Sequence, residues 1–171
     1  MPTTGNNDPV LGASICNTAL GLITEEIPDH AITVSSREFY PYTLRPNNNN
    51  ERTAPWCALV DDGDKHVQID LDAYNSSNGQ VTITSIGLQG ATRNGESAYV
   101  ASFRLLFSND SREWSSLDDS VLYECARPCR LPDVFKLKES VTARYIRLAI
   151  MDYFVAPCMR LEIFGCRVNQ E

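Results

Sequence analysis

The 171-residue chain has only two histidines, no apolar run approaching the ~20 residues of a membrane helix, and too few cations to balance its acids. Each shortage removes a class of function. Fifteen Lys and Arg stand against 22 Asp and Glu, giving a net charge of −7 and a pI near 4.8. Without a basic stripe to displace counterions, nucleic acid is excluded as a partner, and a purely electrostatic attraction to anionic lipid is disfavoured. His30 and His66 stand at strand edges with no serine or cysteine nucleophile motif beside them. GxSxG, HExxH and phosphate-loop motifs are also missing, so neither catalysis nor a cofactor is expected, and His66 reads as a packing residue. The opening Met1-Pro-Thr-Thr-Gly-Asn-Asn-Asp lacks the basic and apolar regions of a signal peptide. The expectation is therefore an excised ectodomain or an added first methionine.

Six cysteines are present, at Cys16, Cys57, Cys125, Cys129, Cys158 and Cys166, and the outer two bracket nearly every patterned segment. A bridge between such positions would close a ring of ~150 residues and stabilise by roughly 5 kcal/mol in the chain-entropy model. Such a crosslink persists only under oxidising conditions, so an extracellular location is expected. Six cysteines leave many pairings open. A zinc site is disfavoured, because Cys125-Ala-Arg-Pro-Cys129 has no second ligand pair. Asp61-Asp-Gly-Asp64 lacks the further acidic ligands of a calcium loop and reads as a solvated turn, so no metal is expected.

The patterning between the outer cysteines is that of strands. Ala31–Val34 is a β-branched run, His66–Leu71 alternates with Val67, Ile69 and Leu71 on one face, and Val81–Ile86 alternates likewise. Val100–Phe107, Ala143–Met151 and Met159–Phe164 complete the set. Turn-rich stretches separate them at Arg45–Pro55, Asn75–Gly79, Asn94-Gly95 and Asn109–Arg112. With no βαβ rhythm and no internal repeat, the pattern predicts a single all-β domain, an antiparallel sandwich or barrel. Residues 1–15 read as a flexible leader, 16–166 as the domain and 167–171 as a tail.

The strands also carry words, in order: Ile32-Thr-Val-Ser-Ser36, Trp56, Gln68-Ile-Asp-Leu71, Leu88-Gln-Gly90, Tyr99-Val-Ala-Ser-Phe103, Leu106-Phe-Ser108, Trp114, Ala143-Arg-Tyr-Ile-Arg-Leu148 and Met159-Arg-Leu-Glu-Ile-Phe-Gly-Cys166. This series resembles the discoidin family, also called the coagulation-factor C-type domain, over about residues 16–166. The resemblance implies an eight-stranded, jelly-roll-like antiparallel barrel whose adjacent termini are joined by a disulfide, here Cys16–Cys166. A narrower likeness, in Trp56-Cys57 and Cys158-Met159-Arg160, is to the discoidin domains of collagen-binding receptor tyrosine kinases. It implies Cys57–Cys158. Cys125 and Cys129 are left to bridge each other.

In discoidin domains, function lies in loops at one end of the barrel, so the resemblance implies a non-catalytic recognition module. The first loop here, Arg37-Glu-Phe-Tyr-Pro-Tyr-Thr-Leu-Arg45, offers Phe39, Tyr40 and Tyr42 between two arginines. Aromatic and arginine side chains are favoured binding anchors. Lipid-binding members present apolar spikes from a second loop as well, but Ala91–Ala98 is polar. The collagen-binding receptors place an arginine and a glutamate there, parts that fall to Arg93 and Glu96. Their first-loop tryptophan is replaced by Glu38 or Phe39. Tyr153 and Phe154 extend the same surface. The expected ligand set is thus Phe39, Tyr40, Tyr42, Arg45, Arg93, Glu96, Tyr153 and Phe154. The expected partner is an extracellular-matrix or cell-surface protein, with collagen favoured and anionic lipid or a glycan as alternatives. Asn75-Ser-Ser77 and Asn109-Asp-Ser111 are N-glycosylation sequons on predicted turns.

Overall fold

The computed structural model describes residues 15–35, 40–46, 54–74, 77–93, 95–117, 123–124 and 133–167, with backbone only for Thr92 and Arg93. In chain order the described strands are β1 (Thr18–Ala19), β2 (Ile32–Val34), β3 (Trp56–Cys57), β4 (His66–Asp70), β5 (Val81–Gln89), β6 (Ala91–Arg93), β7 (Glu96–Ser108), β8 (Tyr123–Glu124), β9 (Asp133–Thr142), β10 (Tyr145–Phe154) and β11 (Cys158–Arg167). One short α-helix, α1 (Pro41–Leu44), lies between β2 and β3. Setting aside the two-residue strands β1, β3 and β8, eight remain, the number the family resemblance implied.

The strands form two antiparallel sheets. One runs β1-β11-β5-β9 with β3 added to β11; the other runs β2-β4-β10-β7-β6 with β8 added to β7. The sheets face each other without closing, so the jelly roll is a sandwich and not a closed barrel. Period-two alternation explains which faces meet. Val67 and Ile69 from β4, Leu105 from β7, and Ile146 and Leu148 from β10 face Ile86 from β5 and Leu161 and Ile163 from β11; all are buried. Gly165 is required where β11 shifts register against β5: a Cβ there would stand 1.8 Å from the Thr82 carbonyl oxygen.

Strand register separates two poles. Ser35, His66, Gln89, Tyr99, Phe154 and Cys158 lie at one, because Phe154 pairs with Tyr99, Ala149 with His66 and Arg160 with Gln89. The other holds Cys16, Asp70, Ser108, Tyr145 and Cys166. A disulfide clamps each pole: Cys16–Cys166 closes a separation of 150 residues, and Cys57–Cys158 one of 101. Both are the pairs the resemblance implied. Cys125 and Cys129 lie outside the described residues.

Candidate functional site

The predicted loops converge on the first pole. Pro41 opens α1 at its first turn, where proline's missing N–H costs nothing and its φ suits a helix. The Tyr40 carbonyl accepts from Thr43 N at 2.9 Å and from Thr43 Oγ1 at 2.6 Å. Leu44 pins the helix into the core with no exposure. Its C-terminal carbonyls have no partner within so short a helix. Arg160, buried at the start of β11, supplies one: its guanidinium donates to the carbonyls of Tyr42 (3.3 Å), Thr43 (3.2 Å) and Arg45 (2.9 Å). A cation at a helix C-terminus also opposes the dipole there. Burial lowers the Arg160 pKa from its ordinary value, yet a guanidinium stays charged at any working pH.

This clamp leaves Tyr40 and Tyr42 standing outward, 62% and 55% exposed, with ring centroids 5.8 Å apart. Arg45 does something different from what was expected. It is 6% exposed, and its guanidinium donates to Leu22 O (2.7 Å), Ile27 O (2.8 Å) and Asp29 Oδ1 (2.7 Å). It holds the 22–29 loop under α1 and is withdrawn from the ligand contacts. An arginine closing an aromatic loop looks alike in sequence whether it points out or in; only the buried carbonyls of a distant segment decide.

A second aromatic ledge comes from β10. The β10–β7 register shifts around Ile150, Asp152 and Tyr153. Before this irregularity Ile146, Leu148 and Ile150 alternate inward; Met151 within it and Phe154 after it are exposed. Phe154 stacks on Tyr99 with centroids 5.4 Å apart, and Lys65 Nζ sits 5.8 Å from the Tyr153 ring centre. Val155 follows with a φ of 64°, a left-handed conformation that a β-branched residue rarely adopts. Ala156 N donates to Phe154 O (2.7 Å) and Cys158 N to Ala156 O (2.9 Å), so the turn is tied directly to the Cys57–Cys158 bridge. Beside it, Ala58 N donates to Pro157 O at 3.0 Å, bringing the exposed Leu59 and Val60 to the same pole.

The expected polar loop is a hairpin. Ala91, Thr92 and Arg93 pair with Ala98, Ser97 and Glu96. Gly95, just before β7, has φ +80°, a left-handed conformation that glycine adopts without strain. Arg93 and Glu96 are therefore directly opposite in register, and Glu96 is exposed. The Arg93 side chain, Phe39 and Asn75 lie outside the described residues.

Among the described residues, the exposed large apolar side chains Tyr40, Tyr42, Leu59, Val60, Met151, Phe154 and Val155 lie toward this pole, as does Val134, opposite Gly87. Sequence reasoning missed Leu59, Val60, Met151 and Val155. The signal for the first two was an apolar pair set against an acidic turn, outside any alternating strand. Asp61, Asp62, Asp64, Glu96 and Asp152 surround the patch. Bonds from the Ser35 hydroxyl and the Asp64 N–H hold the Asp62 carboxyl below its ordinary range. No His/Cys/Asp/Glu cluster suited to a metal occurs among the described residues.

The F5/8 type C domain model matches residues 31–163. The chain belongs to the F5/8 type C domain family. Lactadherin of Rattus norvegicus is 29% identical over 163 residues, covering 88% of this chain and 36% of its own length. The chain thus spans about a third of that relative. Among solved structures, the wild-type discoidin II of Dictyostelium discoideum superposes with a TM-score of 0.60 at 15% identity, over 80% of this chain and 55% of that one. CpGH89CBM32-5 of Clostridium perfringens, in complex with GalNAc-β-1,3-galactose, superposes with a TM-score of 0.59 at 14% identity, over 81% and 99%. These likenesses establish the fold. Family membership makes the chain a binding module, and with two disulfides in place it is an extracellular domain.

Proposed function

We propose that this domain recognises an extracellular protein ligand across the aromatic pole, with an extended partner such as collagen lying over Tyr40, Tyr42, Tyr153 and Phe154. The observation that carries this reading is the Arg160 clamp. Two tyrosines, one just before and one within a short helix whose carbonyls a buried cation holds in place, stay more than half exposed. Rigid aromatics of this kind contribute large contact area at little entropic cost. The tyrosines and Phe154 bury apolar ligand side chains, and the Arg93/Glu96 hairpin sets register along the ligand. Five acids around the patch count against an anionic bilayer as the partner and suit a ligand carrying lysine or arginine.

A glycan is the second reading, favoured by the closely spaced Tyr40–Tyr42 pair as a platform for a sugar ring. The test is binding of the oxidised domain to immobilised triple-helical collagen, heat-denatured collagen, phosphatidylserine vesicles and a glycan panel, each repeated with Tyr40→Ala/Tyr42→Ala. Collagen binding that needs both the triple helix and the tyrosines supports the proposal. Tyrosine-dependent binding to vesicles or glycans alone overturns it.

A further inference from the structure

We infer that Asn109 is an N-glycosylation site whose first sugar seats in the groove beside Trp114, at the pole opposite the aromatic one. Asn109, Asp110 and Ser111 are all exposed, on the turn that follows β7. The turn is well made. Ser108 Oγ accepts from Asp110 N (3.2 Å) and Ser111 N (2.9 Å), while the Asp110 carboxylate accepts from Arg112 N (2.8 Å) and Glu113 N (2.9 Å). Ser111 has φ +60°, which tips its hydroxyl-bearing side chain off the strand path. Phe107 and Ser115 bridge the base of the turn through paired backbone bonds of 2.8 and 3.0 Å. The acceptor sequence is thus presented outward on a fixed base.

The second observation is the groove itself. About 410 Å³ of space is lined by Asn109 with Phe107, Trp114, Val141 and Thr142, among others. That volume falls in the ~300–1,000 Å³ range of small-ligand sites. Arg147 lies 4.2 Å from the Trp114 ring centre and is held in turn by Gln68 Oε1 at 2.8 Å, so the indole is fixed. A sugar attached to Asn109 has one apolar ring face and a polar rim. It therefore matches a groove that combines an indole with the hydroxyls of Ser115 and Thr142.

The donor is a lipid-diphosphate-linked oligosaccharide of the secretory route. The Asn109 carboxamide nitrogen attacks C1 of its first N-acetylglucosamine. A C–N bond forms, the C1–O bond to the diphosphate breaks with its electron pair leaving on the diphosphate, and the nitrogen loses one proton. The glycan then covers Trp114 and leaves the aromatic pole free.

The test is secretion of the full chain from glycosylating animal cells, as wild type and as Asn109→Gln, Ser111→Ala and Asn75→Gln. Peptide mapping reads occupancy, and melting is followed before and after peptide N-glycosidase. The expected result is occupancy at Asn109 lost in both Asn109→Gln and Ser111→Ala but kept in Asn75→Gln. Enzymatic removal should lower the Asn75→Gln melting midpoint by ~2–4 °C. Adding Trp114→Ala to Asn75→Gln should abolish most of that difference, the mark of coupling between glycan and indole. An unmodified Asn109 overturns the site, and a glycan whose removal shifts melting equally with and without Trp114 overturns the seating.

Discussion

The two poles of the sandwich are built with the same devices and end in opposite surfaces. Each has a disulfide, an arginine donating to loop carbonyls (buried Arg160 at one pole, half-buried Arg167 at the other), and an aspartate that ties a turn. At the terminal pole the polar groups consume one another. Arg144 makes paired bonds to Asp70 at 3.0 and 2.9 Å, Asp72 accepts from Ser77 and Gly79 N–H groups at 3.0 and 2.6 Å, and Arg167 donates to the Leu71 and Leu20 carbonyls. At the aromatic pole the anchoring is equally complete, but it holds apolar side chains outward. Isolated exposed apolar residues need no explanation; a cluster of them at one end, on α1, the loop after β3 and the end of β10, is the surface proposed above to receive the ligand.

Removing the disulfides should separate the poles most forcefully. Cys16→Ser/Cys166→Ser and Cys57→Ser/Cys158→Ser should each cost about 2–5 kcal/mol, read by urea denaturation. Binding by the folded fraction should survive the first change and fall with the second, because Cys158 anchors the Phe154–Val155 turn. Equal effects on binding would erase the distinction. Next in size, Arg45→Met leaves two buried carbonyls without donors and Arg160→Met leaves one buried and two half-buried, at ~1–3 kcal/mol per buried group, so about 2–4 kcal/mol is expected for the first and about 1–3 for the second. Arg160→Met should also weaken binding by freeing α1. A surface arginine that only touched ligand would lose binding without stability, and that result for Arg45 would restore it to the contact set.

How far the sequence reveals these roles depends on how local the cause is. β4 and the first half of β5 were readable because each buries one face, so period-two alternation is written into the chain, and β7 carries stretches of the same pattern. The Cys16–Cys166 and Cys57–Cys158 pairs followed from the family resemblance, since spacing alone left the pairing open. β9 was missed: it is the edge strand, where Lys136, Lys138 and Glu139 interrupt the inward Phe135 and Leu137 and the alternation reads as a charged loop. Tyr40 and Tyr42 were legible as residue types but not as exposed ones. Arg45 was misassigned because its partners, Leu22, Ile27 and Asp29, lie 16 to 23 positions away and reach it only through the fold.

A smaller change sharpens the contrast between contact and anchor. Tyr40→Ala/Tyr42→Ala should weaken ligand binding by about 2 kcal/mol or more, roughly 30-fold, as truncated hot-spot aromatics do. Stability should stay within about 0.5 kcal/mol, because both rings are already in solvent. A comparable loss of stability would mean that the pair caps the core.

The finest comparison uses protons. Asp62 at the aromatic pole and Asp110 at the terminal pole both sit below the ordinary carboxyl value of 3.8. For Asp62 the main causes are hydrogen bonds from Ser35 and the Asp64 backbone; for Asp110 they are the Glu113 and Arg112 backbone N–H groups. A carboxyl lowered in the folded state leaves the unfolded chain holding more protons, so it favours folding fully above 3.8 and loses that contribution as the pH falls through 3.8 toward the folded value. Both turns should therefore be indifferent to pH from neutrality to about 5 and loosen below about 4. The effects are small, and the locations differ: Asp110 is exposed, whereas Asp62 is half-buried. Asp62→Asn should change the acid limb of ligand binding, because the Asp62–His66 turn adjoins Ser35 and the exposed Leu59–Val60 pair. Asp110→Asn should leave that limb where it is. If binding titrates identically in the two variants, the aspartate at the aromatic pole is as remote from the ligand as the one at the far end, and the surface lies elsewhere on the sandwich.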